Sequence, residues 1–328
     1  MIILERFLQS CFMNAIYIMS SKRFVHTLIL LLVVSGAWAQ QPALKLNLRQ
    51  GEEYRLVISS NQAVQQTMMG NLQKTRSYIV SGCLFHVKRQ TPESVTLAMH
   101  YDSIFLKMEM PDGIIEGSTT DTTRKNALLS GALREILKSA LNIQISATGE
   151  ITSITGLDTT FLSGMDKYTA IPAQVRTMLK SALTEKFGTE TLGYRLQEIF
   201  GLFPAKSVKT GGRWRTESFL DYEAPARVQN TWTLVSQNQN VNSLSLEGKI
   251  SPPAQNGFFP INGIPMKYIL KGTRKGNFDL DGSSGWIKNG QISQSVSGTV
   301  YLREGISWPI AIETTFIYRG EKLLGGEK

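Results

Sequence analysis

Cys83 and His100 are the residue pair with the most chemical promise in this sequence. A symmetric hairpin turning about Gln90–Glu93 would set Cys83 opposite His100 and Ser81 opposite Asp102. Cross-strand β-carbons lie about 5 Å apart, near enough for a thiolate–imidazole couple. A one-residue slip would place the two on opposite faces, and no cysteine-nucleophile signature surrounds Cys83. A buried thiol beside a satisfied histidine is the reading we adopt, with no catalytic residue assigned.

Metal chemistry has little to work with. His86 and His100 are the only imidazoles beyond residue 39, and a tetrahedral zinc site would need carboxylates to complete it. The stretch Asp279–Gly285, DLDGSSG, resembles part of a calcium loop but lacks the third acidic position and the distal glutamate. Asp, Ser and Gly are also what a β-turn requires, so we expect a turn, no metal ligand and no cofactor.

Gly-x-Ser-x-Gly, His-Glu-x-x-His, phosphate-cradling and dinucleotide-binding signatures are missing. A glycosidase-type carboxylate pair needs no local spacing; Glu109, Asp112, Glu116 and Asp121 cluster in sequence but read as solvated loop charges. Trp214, Trp232, Trp286 and Trp308 all fall in the strand-rich block after residue 203, where core packing is the default and the wall of a ligand cavity the alternative. Basic groups at Lys206, Lys209, Arg213 and Arg215, and at Lys267, Lys271, Arg274 and Lys275, read as solvated strand faces. Without a recognition motif they do not make a nucleic-acid surface.

The N-terminus carries an export signal. Lys22-Arg23, an apolar run from Phe24 to Val34 and a small-x-small exit ending at Ala39 are the parts of a secretory signal peptide over residues 19–39. The run is shorter than the roughly 20 residues that span a membrane. Residues 1–18 fit this plan poorly, because Lys22-Arg23 would then interrupt the apolar stretch; Met19 is the better start. No cysteine is placed for lipid attachment, so a soluble periplasmic or extracellular protein is expected. Removing residues 1–39 leaves 289 residues with a net charge of +7 and Cys83 as the single cysteine. Stability must then come from burial, and the length allows a large core.

Period-two alternation marks the chain from Leu44, as in Leu44, Leu46, Leu48 and again in Val95, Leu97, Met99, Tyr101. Leucines from Ala127 to Leu141 fall on a helical stripe. Thr148-Gly149-Glu150 then turns a hairpin, and residues 158–203 read as helical with a break at Gly188. Strands return to the end, with Trp308, Ile310, Ile312, Phe316 and Tyr318 on one side of the last.

We therefore expect an α+β fold: large curved antiparallel sheets with amphipathic helices inserted between and packed on them. The parts are a first β unit with one helix (40–157), a helical segment (158–203), a second β unit (204–320) and a tail (321–328). Leu48-Arg49-Gln50-Gly51 leading to Tyr54-Arg55 is echoed by Val208-Lys209-Thr210-Gly211 leading to Trp214-Arg215. Duplication and coincidence both account for so short a match.

The phrases ISATGEITSITGLD, FPAKSVKTGGRWR and LDGSSGWIKNGQISQSVSG, in that order, resemble a family of exported Bacteroidota proteins classed as a domain of unknown function. The resemblance implies export, a β-rich fold and no established activity, and it supplies no site residues. The expected function is a carrier that binds a lipid or other apolar molecule between sheet and helices. A structural or interaction module of the cell envelope, with an envelope protein as partner, is the alternative, and an enzyme ranks third.

Overall fold

The computed structural model describes residues 44–122, 127–156, 172–219, 226–253, 257–261 and 264–324. The expected leader, residues 19–39, and the stretch before it lie outside the described residues. Among the described residues, thirteen strands and three helices follow in the order β1 (Glu53–Met68), β2 (Asn71–Gln90), β3 (Ser94–Met110), β4 (Gly113–Ser118), α1 (Ala127–Leu137), β5 (Leu141–Ser146) and β6 (Ile151–Thr155), then α2 (Ala173–Phe187), α3 (Thr189–Phe200), β7 (Arg213–Phe219), β8 (Arg227–Gln237), β9 (Val241–Ser251), β10 (Phe259–Ile261), β11 (Ile264–Asp281), β12 (Ile287–Leu302) and β13 (Ser307–Leu323). The last strand reaches into the expected tail.

All thirteen strands belong to one antiparallel sheet, ordered β6-β5-β3-β2-β1-β13-β12-β11-β9-β8-β7, with β4 beside β3 and β10 beside β11. The fold is the expected α+β class, and the first and last strands of the chain join its two halves: β1 pairs with β13 from Glu53 opposite Leu323 to Gln66 opposite Ile310. Alternation does the sorting. Along β13, Trp308, Ile310, Ile312, Thr314 and Tyr318 are buried while most of their neighbours are exposed.

The helices cover one part of the inner face. α3 touches both β6 and β7, the terminal strands of the row, so the sheet curves around it. The Gln197 amide accepts from Ile151 N–H at 2.9 Å and donates to Gly149 O at 3.4 Å. Trp214 Nε1 donates to Leu202 O, just past α3, at 2.8 Å. Phe200 reaches Phe85 and Trp286, with ring centroids 6.1 and 6.0 Å away. At the other helix, a β-carbon on Gly117 would lie 2.7 Å from Leu129 Cγ; that glycine lets α1 settle on β4.

The expected helix over Ala127–Leu141 ends earlier. Lys138 and Ser139 donate backward to Glu135 and Ile136 at 3.2 and 3.1 Å, tightening the last turn. Leu141 then opens β5 opposite Met99. The break at Gly188 falls between α2 and α3 as expected.

The two echoing phrases form the same turn. Gly51 and Gly211 have φ of +84° and +82°. Gly51 N donates to Val87 O and Gly211 N to Leu234 O, at 2.9 and 2.7 Å. Glu52 N bonds Arg49 O, and Gly212 N bonds Lys209 O. The strand residue then answers: Val87 N to Glu52 O and Leu234 N to Gly212 O, at 2.9 and 3.0 Å. Each half of the sheet thus begins with one device, a left-handed glycine tied into its neighbouring strand.

Candidate ligand-binding site

The inner face carries two apolar clusters. The first holds the helices, with Leu133, Ile136, Leu183, Phe187, Leu196 and Phe200 packed on Leu56, Phe85, Leu97, Trp232, Phe278 and Trp286. The second contains Val228, Ile250, Leu270, Val296, Val300, Trp308, Ile310 and Ile312 with Ala226; among the described residues it includes no helix residue.

Between them runs a polar row held in strand register. Ser77 pairs with Gln62, Gln62 with Thr314, Thr314 with Gln294, Gln294 with Arg274, Arg274 with Gly248 and Gly248 with Asn230. Arg274, Thr314, Asn230 and Gln294 are only 2%, 3%, 6% and 7% exposed. Arg274 was expected on a solvated strand face together with Lys271 and Lys275. Instead it shares the inward parity of Leu270 and Phe278, while Lys271 and Lys275 are exposed. Gly248 makes the room: a β-carbon there would stand 2.4 Å from Arg274 Cγ and 2.7 Å from Asn230 Oδ1.

Glu198, on α3, reaches down to this row and pairs with Arg274 Nη1 at 2.5 Å. Three buried atoms of the row have no hydrogen-bond partner: Arg274 Nε, Asn230 Oδ1 and Thr314 Oγ1. Each such group costs about 1–3 kcal/mol when left unsatisfied, and they stand on neighbouring or nearby strands at one level.

Above the row, at the edge of α3, lie two adjoining hollows that share Ser60, Ile79, Arg195 and Phe316. The inner one, of about 20 Å³, is lined by Ile58, Cys83, Tyr101, Leu192 and Tyr318; the outer, of about 70 Å³, also by Gln62, Ser77, Glu198 and Thr314. A site of these sizes holds one to a few waters, whereas a cavity that takes up benzene is about 150 Å³. The helix-covered half is therefore packed, and an acyl chain does not fit beneath the helices as they stand. Burial pushes the Cys83 thiol and the Tyr101 and Tyr318 hydroxyls well above their ordinary pKa values. Arg195, Glu198 and Lys186 are the charged side chains lining the outer hollow, and Arg274 lies in the row, paired with Glu198.

The expected Cys83–His100 facing does not occur. Cys83 lies opposite Tyr101 and Leu84 opposite His100, with irregularities between Gly82 and Cys83 and between Val87 and Arg89. Nor does Ser81 face Asp102: its partner is Ile104, because Asp102 is the extra residue of the bulge. Cys83 is buried and His100 is exposed. Asp102 instead accepts from Arg55 Nε and Ser103 Oγ, both at 2.6 Å. Burial alone would raise its carboxyl, but these donors outweigh burial and hold it below its ordinary value.

The remaining candidates have structural roles. In DLDGSSG, Asp281 Oδ1 accepts from Ser283 N and Ser284 N at 3.1 and 2.9 Å, and from both serine hydroxyls at 2.6 and 2.8 Å. Burial opposes ionisation there, yet these donors bring the carboxyl down to about 2. The acceptor is used by its own turn. Glu109 and Glu116 flank Lys107 on the β3–β4 hairpin, with Lys107 Nζ 2.8 Å from Glu109. Asp121 uses its carbonyl to accept from Arg134. His86 Nδ1 lies 3.4 Å from Glu53. Each of the four tryptophans gives its indole N–H to the protein: Trp214 to Leu202 O, Trp232 to Thr216, Trp286 to Arg55 O and Trp308 to Gln66. They are core residues. Sequence reasoning missed Arg195 and Glu198, which flank the apolar stripe of α3, and the polar row itself.

Residues 92–287 match the model of the Family of unknown function (DUF6263), and the chain belongs to that family. No curated protein matches its sequence. Among solved structures, lipovitellin, from a study of lipid–protein interactions, is similar at 11% identity with a TM-score of 0.46 over 85% of this chain. The chain spans 26% of the lipovitellin chain. An outer membrane channel from Pseudomonas putida F1 is similar at 10% identity with a TM-score of 0.24, covering 84% of this chain and 98% of that one. Among the described residues no helix is long and apolar enough to cross a membrane.

Proposed function

We propose that this DUF6263 protein is an exported carrier that holds an apolar molecule against the curved inner face of its sheet. The observation that carries the reading is the second cluster. It is a contiguous apolar patch built from strands and closed in this structure, its residues 0–9% exposed, and the described helices sit only on the first cluster, beyond the polar row. An apolar sheet face with no described helix fixed on it can exchange its present cover for a lipid or similar molecule of matching chemistry. The packed helix-covered half directs the ligand to the other side of the row.

Mass spectrometry of gently purified full-length protein under native conditions tests this. A bound lipid near one per chain is expected. A ligand-free protein that also fails to bind a fluorescent fatty-acyl probe removes the carrier reading. Export is part of the same proposal: the periplasmic or secreted form should begin at Gln40, and a chain kept in the cytoplasm with its leader intact contradicts it.

A structural or interaction module is the second reading, favoured by the sheet end beyond the second cluster. There the hairpin tips expose Met69, Leu72, Ile114, Ile115, Ile264 and Ile306. A lipid-free protein whose envelope partner is lost on replacing Met69, Ile114 and Ile306 by serine would select this reading over the first.

A further inference from the structure

The two ends of the sheet carry turns of opposite chemistry. At one end, Thr91-Pro92-Glu93 joins β2 to β3, Asn238-Gln239-Asn240 joins β8 to β9, and the Asp281 turn joins β11 to β12. At the other end the turns carry exposed apolar side chains. Met69 and Leu72 lie at the β1–β2 turn, Ile114 and Ile115 at β3–β4, Ile306 at β12–β13, and Ile264 opens β11; Met69 is 87% and Ile114 64% exposed. Strand pairing sets them side by side along β3-β2-β1-β13-β12-β11, a row about 24 Å wide at the usual strand spacing. Beneath them Met68, Met266 and Leu302 pack on the second cluster, which gives the turns a firm base. Met69 is also the described non-glycine residue with positive φ, +50°. That conformation is disfavoured for a side chain, and this one gains little burial in return.

The charge at this end has a sign. Lys74, Gln65, Ala311, Ser297 and Lys271 share one register row across β2, β1, β13, β12 and β11. At or beyond that row, the charged residues described on these strands and turns are Lys74, Lys267, Lys271 and Arg303 against Asp112 and Glu304. None of the four cations forms an ion pair with a described acid. The Arg303 guanidinium instead stands 5.7 Å from the ring centre of the exposed Phe258. Exposed apolar groups rimmed by polar ones mark a docking surface for protein or membrane. A protein would need a separate pocket for each of several projecting turns. A lipid interface accepts them at any spacing, and unpaired lysine and arginine among apolar side chains complement an anionic leaflet.

We propose that this end of the sheet docks on the surface of an anionic phospholipid bilayer, the apolar turn residues entering the head-group layer and the four cations meeting lipid phosphates. The contact is peripheral, made by side chains on turns, and it places the opposite, polar end in water.

Vesicle sedimentation of the full-length protein tests this, with phosphatidylcholine alone and with about a third phosphatidylglycerol added. Binding to the anionic vesicles is expected to be at least about tenfold tighter and to weaken with salt. Met69→Ser, Ile114→Ser and Ile306→Ser together should weaken it about tenfold or more. Lys74→Glu with Arg303→Glu should erase the preference for phosphatidylglycerol. Val235→Ser, at the opposite end, should change nothing. All these side chains are exposed, so thermal melts should match the wild type. Fluorescence locates the contact: brominated acyl chains should quench Ile306→Trp beyond the wild type and leave Val235→Trp unaffected. Vesicles left unbound, equal binding by the triple serine variant, or quenching confined to Val235→Trp overturns the docking. A protein that ignores vesicles but loses an envelope protein in the triple variant gives these turns to that partner instead. The docking does not rest on the carrier reading, and a ligand-free protein in mass spectrometry leaves it standing.

Discussion

Arg274 Nη1 and Glu198 Oε1 stand 2.5 Å apart, joining the buried middle of the sheet to α3 with the arginine side chain 1% and the glutamate 14% exposed. The pair is the electrostatic link between the two layers. Removing one member leaves the other charge buried, which typically costs about 3–5 kcal/mol, whereas replacing both by apolar residues is often neutral or stabilising. Glu198→Ala should therefore lower the unfolding free energy by about that amount in urea titration, and Glu198→Leu combined with Arg274→Met should recover most of the loss. A single variant as stable as the wild type would show that water already supports the pair.

Glycines in this fold separate into two kinds. Gly51 and Gly211 have left-handed φ but open space around the missing β-carbon. Alanine there should cost only the backbone term, about 1–2 kcal/mol each, additively. Gly149 combines φ of +84° with a carbonyl, Phe200 O, 1.9 Å from where its β-carbon would be. Gly149→Ala should cost visibly more, because the β5–β6 hairpin must retreat from α3. Thermal melts of the three variants rank them; equal shifts would contradict the distinction.

Cys83 should be silent. In a Cys11→Ser background its thiol is expected to react with an aromatic disulfide only in denaturant, since burial holds it protonated well above neutral pH. Prompt labelling of the native protein at pH 8 would show that the inner hollow opens.

Acid should loosen two ties. Asp102 and Asp281 both have carboxyls held below their ordinary values in the folded state. Their contribution is therefore complete above the unfolded carboxylate range and is lost as pH falls from about 4 toward 2. Asp281→Asn should flatten the acid limb of a stability-versus-pH curve, its cost being full at pH 7 and shrinking toward pH 2. A variant with the wild-type slope would mean that the serine donors do not discriminate between the two protonation states.

Much of the sheet was legible because alternation is a local signal. Trp308 to Tyr318 sort correctly by parity alone, and so would Arg274, which shares its parity with Leu270, Phe278 and Leu280. Composition misled there, because lysines at 271 and 275 suggested a solvated face. The bulge at Asp102 was also written in the chain: inward residues are odd-numbered through Tyr101 and even-numbered from Ile104 and Leu106. A symmetric hairpin axis ignores that switch, which is why Cys83 was set against the wrong residue. The end of α1 was harder, because Leu141 continues the helical stripe and only its pairing with Met99 claims it for the sheet. The cleft was not legible at all. Arg195 and Glu198 are unremarkable charges on a short helix until the sheet, assembled from strands more than a hundred residues apart, brings Thr314 and Arg274 beneath them.

The polar row has a consequence for how the chain finds its pairing. Sliding one strand by two residues normally keeps every side chain on its proper side, so it is the mispairing that amphipathic patterning punishes least. Here such a slide would push a glutamine, asparagine or arginine into hydrocarbon and strand a valine or isoleucine among amides. The row works as a ruler laid across the strands, and a sheet of this width can be assembled in one alignment because its graduations must coincide.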